Sequence, residues 1–148
     1  ADAIAPFYEA TAADFISHKQ KAMALLQTEA ELEEIARLVG VDSLSDSDRL
    51  ILETARSIRE DFLHQNAFHE VDTCTSFEKQ YKMLKTILHF HGRADKALKE
   101  GMLFSRVMQC ATREKIAAMR YIPESDSAQI DEYIKAIDTE FEKMMAQK

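Results

Sequence analysis

The chain has 148 residues, 46% hydrophobic and 30% charged, with three glycines, two prolines and a formal net charge of −7. A chain of this length buries a sizeable core without staples. The scarcity of Gly and Pro favours long helices over strands joined by turns, and acids interleaved with bases under a net negative charge exclude a phosphate-tracking nucleic-acid surface. Cys74 and Cys110 are too few for a disulfide scaffold and read as reduced packing residues. No apolar run approaches the roughly 20 residues of a membrane span, and no basic-then-apolar leader opens the sequence, so a soluble protein with no membrane insertion is expected. The first residue is Ala1 rather than Met, as expected of a piece of a longer chain.

Residues 1–10, with Pro6 before Phe7 and Tyr8, read as a lead-in segment from a preceding domain, and residues 11–148 as one helical domain. From about residue 12 to 39, Phe15, Ala22, Leu25, Leu26, Leu32, Ile35, Leu38 and Val39 recur at helical spacing. Thr28 with Glu31 three residues on has the form of a capping box, which predicts two helices joined near Gln27, and Gly40 is the expected stop. After a loop at 41–47, Ser45 with Asp48 forms a second capping signal. A helix then follows to about Gln65 on the stripe Leu50, Ile51, Ala55, Ile58, Phe62 and Leu63.

The period breaks at 66–75. A third helix is predicted from about Ser76 on Phe77, Tyr81, Leu84, Ile87, Leu88 and His91, closed by Gly101. A fourth is predicted over 104–121, stopped by Pro123, and a fifth over 128–145, capped by Ser125 or Ser127. Short connections between helices imply mostly antiparallel neighbours. The expected fold is therefore all-α: an irregular antiparallel helical bundle of about five to six helices.

Catalytic motifs are absent. The three glycines, at 40, 92 and 101, are isolated, so there is no phosphate loop, and there is no Gly-x-Ser-x-Gly, Cys-x-x-Cys or His-Glu-x-x-His. His89 and His91 lie roughly 200° apart on a helix and cannot share one ion. His64 and the group His69-Glu70-x-Asp72 lack a paired i,i+4 ligand, so no metal site is read.

Two stretches stand out. The acidic turn Asp42-Ser43-Leu44-Ser45-Asp46-Ser47-Asp48 is explained by capping and solvation except at Leu44, which reads as an exposed Leu flanked by acids, suited to a basic and apolar partner surface. The cluster Gln65-Asn66-Ala67-Phe68 reads either as a helix end with its carbonyls satisfied or as a ring face for a planar base beside edge-reading amides.

These stretches lie within longer strings. Leu25-Leu26-Gln27-Thr28-Glu29-Ala30-Glu31-Leu32-Glu33-Glu34-Ile35-Ala36-Arg37-Leu38-Val39-Gly40 is followed by Asp48-Arg49-Leu50-Ile51-Leu52-Glu53. Arg59-Glu60-Asp61-Phe62-Leu63-x-Gln65-Asn66-Ala67-Phe68-His69-Glu70-Val71-Asp72, Glu78-Lys79-Gln80-Tyr81-Lys82-Met83-Leu84-Lys85 and Arg113-Glu114-Lys115-Ile116 continue the series. Over nearly its whole length the chain thereby resembles the C-terminal helical domain of the catalytic A subunit of archaeal A-type ATP synthases, close to the V-type.

The resemblance implies a parent subunit that also carries a β-barrel, an insert and a nucleotide-binding domain, and that binds ATP or ADP with Mg, while this piece alone is not catalytic and holds no cofactor. It implies three A and three B subunits around a central stalk, in a peripheral complex on the cytoplasmic face of the membrane that couples ATP synthesis and hydrolysis to proton or sodium transport. The turn 42–48 is similar to the acidic DELSEED loop of the F-type β subunit, which leans on the stalk, with Ser here in place of several acids. Phe68 matches the family's adenine-stacking aromatic, with Gln65, Asn66 and Phe62 in the same wall. The competing expectation is a free-standing helical module whose acidic loop binds a basic partner.

Overall fold

The computed structural model describes residues 5–63 and 77–147, with side chains from residue 10 onward. Among the described residues there are six α-helices and no strand: α1 (Ala5–Val39), α2 (Asp46–Ser57), α3 (Phe77–Lys99), α4 (Phe104–Met108), α5 (Thr112–Ala118) and α6 (Ala128–Ala146). Short 3-10 turns fill the gaps at Val41–Ser43, Met119–Tyr121 and Glu124–Asp126. The all-α bundle expected from the sequence is what forms.

The first 35-residue helix corrects two expectations. It begins at Ala5 rather than near residue 12, with Pro6 in the first turn, where a missing N–H costs nothing. Nor does it break near Gln27, because no Gly or Pro interrupts residues 7–39 and the cap-like pattern at Thr28 lies inside a continuous helix. Glu29 turns inward instead and takes the Arg59 guanidinium on two nitrogens, Nε at 3.2 Å and Nη2 at 2.5 Å. Among the described side chains of α1, the buried ones are Phe15, Ala22, Glu29 and Leu32, one or two turns apart, with Leu25 and Leu26 half-buried beside them, so α1 meets the bundle along one face.

Gly40 ends α1 with φ 96° and ψ 152°, a backbone region open to glycine and strained for other residues. Val41–Ser43 then make one tight turn, held by Ser43 Oγ donating to the Gly40 carbonyl at 2.6 Å. Ser45 caps α2 as expected: its Oγ accepts from Asp48 N at 3.1 Å, and Asp48 Oδ2 accepts from Ser45 N at 3.4 Å. Asp42 lies near Arg49 and Glu29 opposite Arg59, so α1 and α2 form an antiparallel hairpin. Beyond Ser57 the helix continues as a π turn, Ile58–Leu63.

At the far end of α3, Gly101 (φ 99°) makes a Schellman stop: Met102 N donates to Ala97 O and Gly101 N to Leu98 O, both at 3.0 Å. The single helix expected over 104–121 is divided at 109–111. There Glu140 of α6 accepts from Ala111 N (2.7 Å), Thr112 N (3.0 Å) and Thr112 Oγ1 (2.7 Å), and so starts α5 afresh. Burial raises the Glu140 carboxyl, but the Thr112 hydroxyl, the two backbone N–H groups and Lys115 outweigh it and hold it below its ordinary value. Ser127 occupies the position before α6, but its side chain makes no capping bond and is buried.

Helix α3 is the spine, with Met83, Leu84, Ile87 and Ala94 almost wholly buried. It packs against α2 on one side and α6 on the other, and α2 lies against α1. Lys82 pairs with Asp131 and His89 with Asp138, so α3 and α6 run in the same direction, α4 and α5 having carried the chain back between them. Tyr81 donates to Asp14, which aligns α3 with α1 as well. Burial first, then the Asp14 contact, pushes the Tyr81 hydroxyl up to about 12. The directions of the helices put the Gly40 turn at one end of the bundle and Leu63 at the other.

Candidate functional site: a turn and a π turn at opposite ends of one helix

The turn 42–48 is built around a buried leucine. Leu44, expected to face solvent, is 6% exposed, because the 3-10 turn folds back on α1 and carries the side chain inward. Asp42, Ser43, Ser45 and Asp46 remain exposed, and Ser47 and Asp48 are half-buried, Asp48 being spent on the cap. Arg49 Nη2 lies 3.6 Å from Asp42 Oδ1, leaving the carboxylate fully open to solvent.

The apolar surface at this end comes from Ile35, Leu38 and Val39, whose helical period pointed to the core, and from Val41 of the turn beside them. Leu38 is 73% exposed, Val39 67%, Val41 57% and Ile35 45%. Ile35, Leu38 and Val39 stand at i, i+3 and i+4 and form one ridge beside the acids. The tip of the hairpin is therefore an aliphatic ridge edged with carboxylates, pinned from within by Leu44.

At the opposite end, Phe62 is 6% exposed and belongs to the hydrophobic core. Its ring, expected in the wall of a base pocket, packs into the core and supports the π turn from inside. Gln65, Asn66 and Phe68 lie outside the described residues, as do His64, His69, Glu70, Asp72 and Cys74.

Asp61, in the π turn, is buried and accepts from Ser57 Oγ at 2.6 Å. Burial pushes its carboxyl up, while Ser57 and Arg120 pull the other way. Arg120 Nη1 donates to Glu60 O at 2.8 Å and lies 3.9 Å from Asp61 Oδ1, and the Arg120 carbonyl accepts from Lys79 Nζ at 3.1 Å. Sequence reasoning passed over all three of Asp61, Lys79 and Arg120. The one available signal was a cation at a helix end just before Pro123.

The described histidines turn away from one another. His89 Nε2 lies 2.7 Å from Asp138 Oδ1, which also meets Arg93 Nε at 3.3 Å, while His91 Nδ1 lies 2.6 Å from Thr54 Oγ1. No group of three or more metal-ligating side chains is gathered among the described residues. Cys110 is buried 3.4 Å from Met144 Sδ, and burial pushes its thiol up to about 12, as befits a packing residue. No helix of the described residues is long and apolar enough to cross a membrane.

Burial lowers the His91 pKa; Asp95 opposes this and Lys99 adds to it. A folded value below the unfolded one contributes stability that is fully present above about pH 6.5 and is lost as pH falls through the folded value. Urea unfolding at pH 8 and pH 5 should therefore show a drop on acidification that is smaller in His91→Gln.

Residues 4–108 match the model of the family described as the C-terminal domain of V and A type ATP synthase. The chain belongs to this family. The V-type ATP synthase alpha chain 1 of Clostridium tetani is 49% identical over 146 residues, 98% of this chain and 25% of that protein. The V-type ATP synthase alpha chain of Thermoanaerobacter pseudethanolicus is 59% identical over 119 residues, 80% of this chain and 20% of its own length. That of Acetivibrio thermocellus is 50% identical over 136 residues, 91% and 23% respectively.

The chain thus spans a quarter or less of these alpha chains and corresponds to their C-terminal domain. These relatives are bacterial rather than archaeal. The family match covers α1 to α4, and so includes both the hairpin tip and the π turn of this V/A-type C-terminal domain.

Proposed function

We propose that this domain is the lever of a catalytic alpha subunit in a rotary ATP synthase. The subunit synthesises or hydrolyses ATP, with Mg, elsewhere in its length, and the domain passes the resulting motion to a central stalk. The complex alternates these subunits with B subunits, sits peripherally on the cytoplasmic face of the membrane and couples the chemistry to proton or sodium transport. The chain itself carries no phosphate loop, so catalysis is assigned to the rest of the subunit.

The observation that carries this reading is the length of α2. From Asp46 to Leu63 the helix and its π turn run without interruption, about 27 Å at 1.5 Å per residue, with the exposed tip at one end and the approach to Gln65, Asn66 and Phe68 at the other. A close-packed bundle cannot bend to absorb a displacement at one end, so the displacement appears at the other. Phe68 is assigned to stack on the adenine, with Gln65 and Asn66 beside it, and the tip at 42–48 to bear on the stalk.

The test targets Asp42 and Asp46, because Leu44 is interior and Asp48 is committed to the cap. Asp42→Ala with Asp46→Ala in the assembled enzyme is expected to lower ATP-driven rotation per ATP hydrolysed by about two- to fivefold, less at high salt, as for charges at a contact rim. The KM for ATP should stay near its original value. Unchanged rotation together with unchanged ATP synthesis would refute the stalk assignment.

A further inference from the structure

We infer that the cleft between α2 and α5 is a binding site for an organic ammonium ion with an apolar body, its charge received by Asp61, Glu60 and Glu114. Neither the tip nor Phe68 takes part in it.

The cleft follows from how the two helices meet. They run in the same direction, since Arg113 of α5 reaches Glu53 of α2 and Arg120, just beyond α5, reaches the Glu60 carbonyl. Between those ties the facing side chains are short, Ser57 on one wall and Ala117 on the other. The helices therefore stand apart over a cleft of about 560 Å³, within the roughly 300–1,000 Å³ of small-molecule sites. Its floor is apolar, laid by Leu50, Ile87, Phe90 and Ile116 of the core.

The walls carry four carboxylates and two guanidiniums. Both guanidiniums are spent at one place: Arg56 Nη2 and Arg113 Nη2 lie 3.1 and 2.9 Å from the same Glu53 Oε2, and Arg113 Nη1 donates to the Met108 carbonyl at 2.9 Å. Glu60 and Glu114 are exposed and have no ion pair among the described residues. Asp61 is only 9% exposed. Its Oδ2 accepts from Ser57 Oγ at 2.6 Å, but its Oδ1 has no hydrogen bond among the described residues, Arg120 Nη1 being 3.9 Å away.

Burial raises the Asp61 carboxyl in spite of Ser57 and Arg120, so its charge is under-compensated where it stands. An ammonium group brings the missing donor and the positive charge together, and such charge-assisted bonds are roughly twice as strong as neutral ones. A bare metal ion fits less well, because no three ligating side chains converge among the described residues and the apolar floor would stay uncovered.

The experiment follows phenethylammonium by saturation-transfer NMR on the nucleotide-saturated assembled enzyme, with uncharged phenethyl alcohol as the matched probe. The ammonium is expected to bind with a Kd on the order of 1 mM, at least about fivefold more tightly than the alcohol. Asp61→Asn keeps the shape of the wall and should weaken the ammonium by about five- to tenfold while leaving the alcohol unchanged. Ala117→Leu fills the cleft from an exposed helix position, touches no ion pair and should abolish binding of both probes. If Asp61→Asn does not assemble, Ala117→Leu and the alcohol decide the matter. Equal binding of the two probes, or ammonium binding unchanged in Ala117→Leu, overturns the inference. A lysine of a neighbouring subunit carries the same group and would keep the probe out. Carbodiimide treatment of the assembled enzyme then joins Glu60, Asp61 or Glu114 to that lysine, as read by mass spectrometry. Absence of both probe binding and this cross-link overturns the inference as well.

Discussion

Phe141→Ala is expected to destabilise the domain by about 3–5 kcal/mol, the range for truncating a large core aromatic whose site cannot collapse. Phe141 is 1% exposed on α6 and meets Phe90 of α3 edge-on, with ring centroids 5.4 Å apart and planes at 62°. Its neighbours are held by the parallel packing of α3 and α6, which is pinned along its length by Lys82 with Asp131 and His89 with Asp138. The ring's departure therefore leaves a hole instead of letting α6 settle inward. Urea unfolding followed by circular dichroism measures the loss. Phe141→Leu should recover about half of it by refilling most of the volume.

Leu44→Ala is the second large effect, at about 2–4 kcal/mol for a buried leucine. It also carries a functional consequence that core truncations elsewhere do not. Leu44 lies outside the main core cluster and fastens the tip of the hairpin, so its loss frees the turn while α3 and α6 keep their packing. In the assembled enzyme the variant should lower rotation per ATP hydrolysed at least as much as Asp42→Ala with Asp46→Ala, and with little salt dependence, because the shape of the tip is lost rather than its charge. A salt response equal to that of the acid variant would show that Leu44 acts only through the nearby carboxylates.

The same residue marks the limit of what sequence pattern could disclose. The helices, the stops at Gly40 and Gly101 and the capping box at Ser45 were legible because each rests on residues within a few positions of one another. Leu44 was misread because acids on both sides suggest exposure, whereas its burial depends on one 3-10 turn reversing the chain onto α1. Ile35, Leu38 and Val39 were misread in the opposite sense. Their period is helical, but the bundle meets α1 along one face, and these positions fall off it.

Long-range contacts account for the remaining differences. The break between α4 and α5 is made by Glu140, 28 residues beyond Thr112, and nothing near position 110 announces it. The tie from Arg120 to Glu60 spans 60 residues. Of the candidate site, the acidic turn was legible as a place, while its aliphatic ridge and the arginine behind the π turn became visible only once the helices were packed. Phe62 lies in the core, as its place in the helix stripe argued.

The central claim is that the tip and the base-side end of α2 move as one body. The most direct measurement is the distance between spin labels at Ser43→Cys and Leu63→Cys, both exposed positions, in assembled enzyme carrying Cys74→Ser, with and without bound nucleotide. The lever account predicts a single distance of about 30 Å, set by the helix rise plus the reach of the turn, unchanged by nucleotide, while each label shifts relative to a third on the stalk. A distance that changes by several ångströms when nucleotide binds, with no shift of the tip against the stalk, would contradict it.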